Sequence, residues 1–199
     1  MLPLIISFYT PDWEYPKHAK RFAEECAHLG LEYRIEQRDS RGGYLENTCI
    51  KPEFIRDMLH EEKRPVLWVD VDGSIYKRPN FFKDLDADFA AKRMAKNRKR
   101  VWHVGTMWFN YTPDILDFMD RWVELTGSLS DESSLEEAWK EFQWLKASDI
   151  PPEYFTIEER RKGPISGTVI MHRISQSPSK TKQVNRFNGD KPQPVVSSA

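Results

Sequence analysis

Four consecutive apolar residues, Val66-Leu67-Trp68-Val69, stand between Pro65 and Asp70. A run that is apolar at every position, too short for a helix and bounded by a breaker and a charge, reads as a strand covered on both faces. Such a strand needs helices packed on either side, and the chain ahead of it supplies them. Leu2 to Tyr9 is a second continuous apolar run, ending at Thr10-Pro11. Between about Pro16 and Leu29, apolar residues recur at Ala19, Phe22, Cys26 and Leu29, the spacing of one helix face, and Gly30 stops the pattern. Leu31 to Gln37 alternates as a half-buried strand does. Asp39 to Asn47 holds Gly42-Gly43 and reads as a loop, and Pro52 opens a helix with Phe54, Ile55, Met58 and Leu59 on one side. This order predicts an α/β fold: a mostly parallel twisted sheet, right-handed crossovers and helices on both faces.

The second half is less regular. Asp88 to Ala91 is a short strand candidate, and Trp102 to Phe109 is strand-like. Thr112-Pro113 starts a helix that carries Ile115, Leu116, Phe118, Met119, Trp122 and Val123. An amphipathic helix with Leu135, Ala138, Trp139 and Phe142 follows, and Thr168 to Met171 is a last apolar strand leading into His172. From Ser175 the chain is rich in Ser, Lys, Asn and Pro. The expected organisation is one domain over residues 1–175 and a loosely packed polar tail over 176–199.

Composition removes several classes. With 199 residues, 39% of them hydrophobic and seven of them Trp, the chain can bury a core without disulfides or a structural metal and is not disordered. A mean hydropathy of -0.68 and 31% charged residues exclude a chain that lives mainly in a bilayer. The run Leu2 to Phe8 is too short for a signal-peptide core and lacks a basic flank, so the expected location is the cytoplasm. Cys26 and Cys49 match no zinc or disulfide spacing and read as two semi-buried thiols. The net charge of -1 argues against coating nucleic acid by bulk charge. One uninterrupted basic run does stand out: Lys92, Arg93, Lys96, Arg98, Lys99 and Arg100. The ordinary role of such a run is a solvated face.

The most informative site is Asp70-Val71-Asp72-Gly73, directly after the buried strand. In open α/β sheets, ligands bind outside the carboxyl ends of the strands. Side chains at i and i+2 of an extended chain point the same way, so Asp70 and Asp72 converge beyond the sheet. Two adjacent carboxylates call for a divalent cation, and oxygen ligands suit Mg2+ or Mn2+ that share their shell with substrate phosphates. Gly73 lets the backbone turn sharply behind the pair. The competing role is structural: aspartates at strand ends cap loops and bond turn amides.

In this order, several short segments resemble the GT-A type of nucleotide-sugar glycosyltransferase, of bacterial or phage kind. They are Lys51-Pro52-Glu53-Phe54-Ile55, Val66 to Asp72, Pro79, Gly105-Thr106-Met107-Trp108-Phe109-Asn110, Asp131-Glu132 with Leu135, Tyr154-Phe155, and Ile170-Met171-His172. The pattern covers roughly residues 2 to 175, and it departs at Glu132, where the family often has Gln. The resemblance implies a nucleoside diphosphate sugar as donor, a metal held by Asp72, His172 and Asp70, and Tyr9 and Thr10 against the nucleotide base and ribose. It places Arg38 and Arg41 near the nucleotide and Lys51 near the diphosphate. It makes Asp131 the contact with acceptor or sugar, and the base if the reaction inverts; the alternative for Asp131 is a helix N-cap. Trp102 and Trp108 would form an apolar platform for the sugar or an aromatic acceptor.

A second family competes locally. Asp70-Val71-Asp72-Gly73-Ser74 also resembles the nucleophile loop of haloacid-dehalogenase-like phosphatases, which would make Asp70 the nucleophile. That family's nucleophile strand comes first in the fold, whereas two apolar strands precede this one, and its later paired acids are missing. For a glycosyltransferase the acceptor is either a glycan or a modified base in DNA. In the latter case the basic run and Trp102 would track phosphates and stack on bases. A non-catalytic nucleic-acid-binding module is the remaining class.

Overall fold

The computed structural model describes residues 1–94, 101–127, 129–157 and 167–173. Lys96, Arg98, Lys99 and Arg100 of the basic run, and the tail 176–199, lie outside these residues.

The apolar runs form strands where expected: β1 (Leu4–Tyr9) and β3 (Val66–Val69), each buried along its length apart from the last two residues of β1. Between them lie α1 (Tyr15–His28), β2 (Tyr33–Gln37), the one-turn helix α2 (Tyr44–Thr48) and α3 (Ile50–Glu62). The segment 39–47, expected as loop throughout, thus ends in a helical turn; five residues are too few to show a 3.6-residue period. α3 begins two residues before Pro52. A proline in the first turn costs nothing there, because its missing N–H would have no partner. After β3 come β4 (Ser74–Ile75), β5 (Phe89–Arg93), β6 (Trp102–Phe109), α4 (Pro113–Leu125), α5 (Asp131–Glu141), β7 (Ala147–Asp149), β8 (Thr156–Ile157) and β9 (Ile170–His172). Thr112 caps α4 by accepting from the Ile115 N–H. The cap of α5 is Ser130, which accepts from the Ser133 N–H, so the capping role considered for Asp131 belongs to its neighbour.

The main sheet has the order β2-β1-β3-β6-β5-β7. β1 is parallel to β2 and β3, β5 is parallel to β7, and β6 is antiparallel to both of its neighbours. Five of the six strands therefore run one way, which makes the sheet mostly parallel. A small second sheet, β4-β9-β8, brings His172 up beside the segment that follows β3.

Residue alternation divides the core between the two faces. Leu4, Ile6, Val66 and Trp68 pack with Phe54, Met58, Phe118, Trp122 and Leu135 of α3, α4 and α5. Ile5, Leu67 and Val69 pack with Phe22 and Cys26 of α1 and with Phe82 and Ile170. Both cysteines are free and more deeply buried than the semi-buried thiols expected. Trp102 and Trp108 belong to this core, each only 2% exposed. Trp102 packs edge-on against Phe89 and Trp139, and Trp108 lies in register between Leu67 and Ala90. Neither can serve as the expected platform for a sugar or acceptor. Among the described residues, no helix is long and apolar enough to cross a membrane.

Candidate active site

The carboxyl ends of β1, β2, β3 and β5 share one edge of the sheet with the amino end of β6. Beyond β3 the chain turns at once: the Asp70 N–H donates to the Gly105 carbonyl (2.9 Å) and the Gly73 N–H to the Asp70 carbonyl (2.8 Å). A Cβ on Gly73 would stand 2.9 Å from the Asp70 oxygen. Gly73 is needed for this close approach and not for a left-handed backbone, since its φ is not positive.

β6 reaches the same edge through a bulge. Ala91 pairs with Met107 and Lys92 with His103, so Val104, Gly105 and Thr106 are extra residues against β5. A bulge re-aims groups that a regular ladder would hold in place. Here the Val104 carbonyl faces the Lys51 ammonium at 3.4 Å, the Gly105 carbonyl takes the Asp70 amide, and Thr106 Oγ1 meets His172 Nε2 at 2.6 Å.

At the centre lies Lys51, on the first turn of α3. Its Nζ is 3.0 Å from Asp70 Oδ1 and 2.7 Å from Asp131 Oδ2, and it sits over the Trp68 ring. Trp68 Nε1 donates to the same Asp70 oxygen at 3.0 Å. Lys51 is 6% and Asp131 5% exposed. Burial by itself would depress the lysine pKa, but the charges of Asp131 and Asp70 outweigh it and hold the ammonium protonated. Three chain segments, α3, the end of β3 and the start of α5, are thus tied at one point. Tyr44 lies within the field of the same three charges, and burial pushes its phenol up so that it keeps its proton.

His172 is 5% exposed, and burial lowers its pKa to about 4. It stacks on Phe155, which also stacks on His103, at centroid distances of 5.0 and 4.3 Å. A neutral imidazole whose Nε2 is engaged by a hydroxyl can offer Nδ1 to a metal. Gly105 leaves room for this: a Cβ there would stand 3.2 Å from that nitrogen. The donors fit a hard divalent cation in kind. Among the described residues, however, no three His, Cys, Asp or Glu side chains come close enough to hold an ion by themselves. Further ligands would have to come from a bound diphosphate, as is usual for magnesium.

The remaining expected residues are placed differently. Thr10 is buried and Tyr9 half-buried at the end of β1. The exposed aromatic at this edge is Trp13, with φ +54° and its ring edge-on to Tyr15 at 5.4 Å. Arg38 pairs with Glu36 and lies over Phe54, and Arg41 pairs with Glu53, so both guanidiniums already have carboxylate partners. Lys92 grips Asp149 through both carboxylate oxygens, and Arg93 stacks on Trp102. Trp13 and Tyr44 escape sequence reasoning because they lie in a loop and a single helical turn, neither of which has a period.

No family model matches the chain, and no curated protein matches it in sequence. Solved structures do. A glycosyltransferase involved in the glycosylation of the major capsid of PBCV-1 matches with a TM-score of 0.72, over 94% of this chain and 100% of its own, at 14% identity. The chain has a glycosyltransferase fold. The glycosyltransferase GlyE of Streptococcus pneumoniae TIGR4 matches with a TM-score of 0.63 at 14% identity; the match covers 96% of this chain and 61% of GlyE. The galactosyltransferase LgtC, solved with donor and acceptor sugar analogs, matches with a TM-score of 0.55, over 94% of both chains, at 13% identity.

Proposed function

We propose that this chain transfers a sugar from a nucleoside diphosphate sugar to an acceptor hydroxyl. The observation that carries this reading is the joining of Asp70, Lys51 and Asp131 at the carboxyl edge of a sheet with a glycosyltransferase fold. Ligands of open α/β sheets enter at that edge. The buried ammonium of Lys51 is paired with both Asp70 and Asp131, so its part is to fix these two carboxylates at the edge where a donor would enter. Asp131 Oδ2 lies 2.7 Å from the same ammonium, and its carboxylate is the group that would accept a proton from a sugar or acceptor hydroxyl. A divalent cation, Mn2+ or Mg2+, would be held by donors from Asp72, His172 and Asp70 completed by oxygens of the bound diphosphate, whose charge it would neutralise. The sugar analogs bound by LgtC favour a saccharide acceptor over DNA. The two described members of the basic run are occupied by Asp149 and Trp102. The phosphatase reading is weaker, since Asp70 is tied to Lys51 and Trp68 and β3 stands third in the chain order of strands.

The test is a panel of nucleoside diphosphate sugars with Mn2+, scored for release of nucleoside diphosphate. Release is expected with at least one donor, and excess chelator is expected to abolish it. Asp72→Asn should raise the Mn2+ concentration required by about 10- to 100-fold. Full activity in chelator would sink the metal assignment, and phosphate release from a simple ester with no donor turnover would favour the phosphatase.

Trp13 supplies a second expectation. A non-glycine residue in the left-handed region costs about 1–2 kcal/mol, and such strain persists where a side chain is needed in place. Trp13→Gly should relieve that cost and give back a similar amount through the lost ring contacts, leaving thermal stability within about 1 kcal/mol of the parent. The donor KM should nevertheless rise severalfold. A lower stability with an unchanged KM would make Trp13 a packing residue only.

A further inference from the structure

α1 presents two charged residues one turn apart, Arg21 and Glu25, toward the segment that follows β3. Arg21 Nη2 donates to the Asp72 carbonyl at 3.1 Å and to the Gly73 carbonyl at 2.6 Å. Glu25 Oε2 accepts the Ile75 N–H at 2.8 Å, and Ser74 also bonds to this carboxylate. The two side chains form an ion pair with each other at 3.4 Å. Arg21 and Glu25 thus hold four consecutive residues, 72 to 75, from one side.

The segment is held from its other side by the Gly73 amide bond to the Asp70 carbonyl and by the pairing of Ser74 and Ile75 with β9. It is a tight turn whose glycine is pressed against the Asp70 carbonyl, and it runs into a strand of only two residues. Both carbonyls accept from one guanidinium nitrogen, Nη2, whose group is planar, permanently charged and rigid; a lysine ammonium on a flexible stem would hold them less well. The cost of placing the pair here is visible. Both side chains are about three-quarters buried, burial raises the Glu25 pKa, and Arg21 Nε has no hydrogen-bond partner. A merely solubilising pair would lie outside in water.

We infer that Arg21 and Glu25 are positioning residues, which clamp residues 72 to 75 so that the Asp72 carboxylate is presented at the sheet edge. This inference deepens the glycosyltransferase reading and rests on it for its kinetic consequence. Its structural consequence is independent. The first turn of α1 also follows directly on the loop that carries Trp13, so the clamp links the two sides of the donor edge through one rigid helix.

The experiment combines amide hydrogen exchange with donor kinetics on Arg21→Ala, Arg21→Lys and Glu25→Gln. In Arg21→Ala, exchange at the Gly73 and Ile75 amides should quicken about five- to tenfold, while the amides of β1 and β3 keep the parent rate. Turnover should fall about 10- to 100-fold with the donor KM within a factor of about two. Arg21→Lys should fall between the parent and Arg21→Ala on both measures. Glu25→Gln keeps an acceptor for the Ile75 amide and should recover most of the protection there. Unchanged exchange at residues 73 and 75 in Arg21→Ala would overturn the clamp. So would faster exchange spread evenly over β1 and β3, which would mean a general loss of stability. Local loosening in a protein that turns over no donor would leave the clamp standing and count against the glycosyltransferase reading.

Discussion

Lys51→Met is expected to be the most damaging single substitution in this protein. It keeps the aliphatic stem and removes the ammonium, leaving the Asp131 carboxylate, 5% exposed, without its counter-ion. Removing one partner of a buried ion pair typically costs about 3–5 kcal/mol, because the surviving charge must stay ionised in a poor solvent or take up a proton. Loss of the contact over Trp68 adds to this. The cost should appear as a large fall in the urea midpoint with an unchanged slope. The double variant Lys51→Met/Asp131→Asn should recover a substantial part of the stability, since it no longer buries an unpaired charge. It should recover none of the sugar transfer, which the single change is expected to lower by about 100-fold or more. A midpoint within about 1 kcal/mol of the parent would show that water reaches this pair and that the buried network is weaker than its geometry indicates.

Acidification should produce the second large effect. The His172 pKa falls from 6.5 to about 4 in the folded protein because burial disfavours its charged form. In unfolded chains the residue returns to its ordinary value. Between these two values the unfolded state binds more protons than the folded one, so stability rises with pH across the window and is lost as the pH drops from about 6.5 to about 4. A difference of this size corresponds to about 3 kcal/mol when the window has been crossed. His18, whose pKa is also lowered by burial, pulls in the same direction, whereas Glu25, raised by burial, opposes it at the acid end. The contribution of His172 is therefore read as a difference. In metal-free protein, urea midpoints measured from pH 7.5 to pH 4 should fall more steeply for the parent than for His172→Gln. Parallel profiles would mean that the imidazole takes up its proton in the folded state without penalty.

Lys51 shows how much of the site could be read before the fold. Its place at the head of a helix was legible, and a phosphate was the natural partner for a lysine near a carboxyl edge. What could not be read was that Asp131, 80 residues further on, would arrive beside it. That meeting depends on α5 packing against α4 and β6, a matter of core shape and not of local pattern. Arg38 and Arg41, expected near the nucleotide, likewise meet partners that no local pattern announces. Each has a carboxylate at Glu36 or Glu53 that the turn after β2 brings within reach.

Sequence by itself determined the elements with a period or a breaker. β1, β3, β6 and α4 stand almost where apolar runs, helical spacing and the Thr112-Pro113 start place them, because their burial is decided within a few residues. The position of Asp70 and Asp72 at the sheet edge follows from the same local logic. Tertiary structure decided the rest: the reversed direction of β6, the bulge at Val104–Thr106, the burial of Trp102 and Trp108, and the clamp of Arg21 and Glu25 on residues 72 to 75. Each of these is set by which distant surface covers a side chain or which distant carbonyl completes a hydrogen bond. A linear pattern records neither, since the energy comes from removing both partners from water together, and the partners are chosen only when the sheet and its helices close.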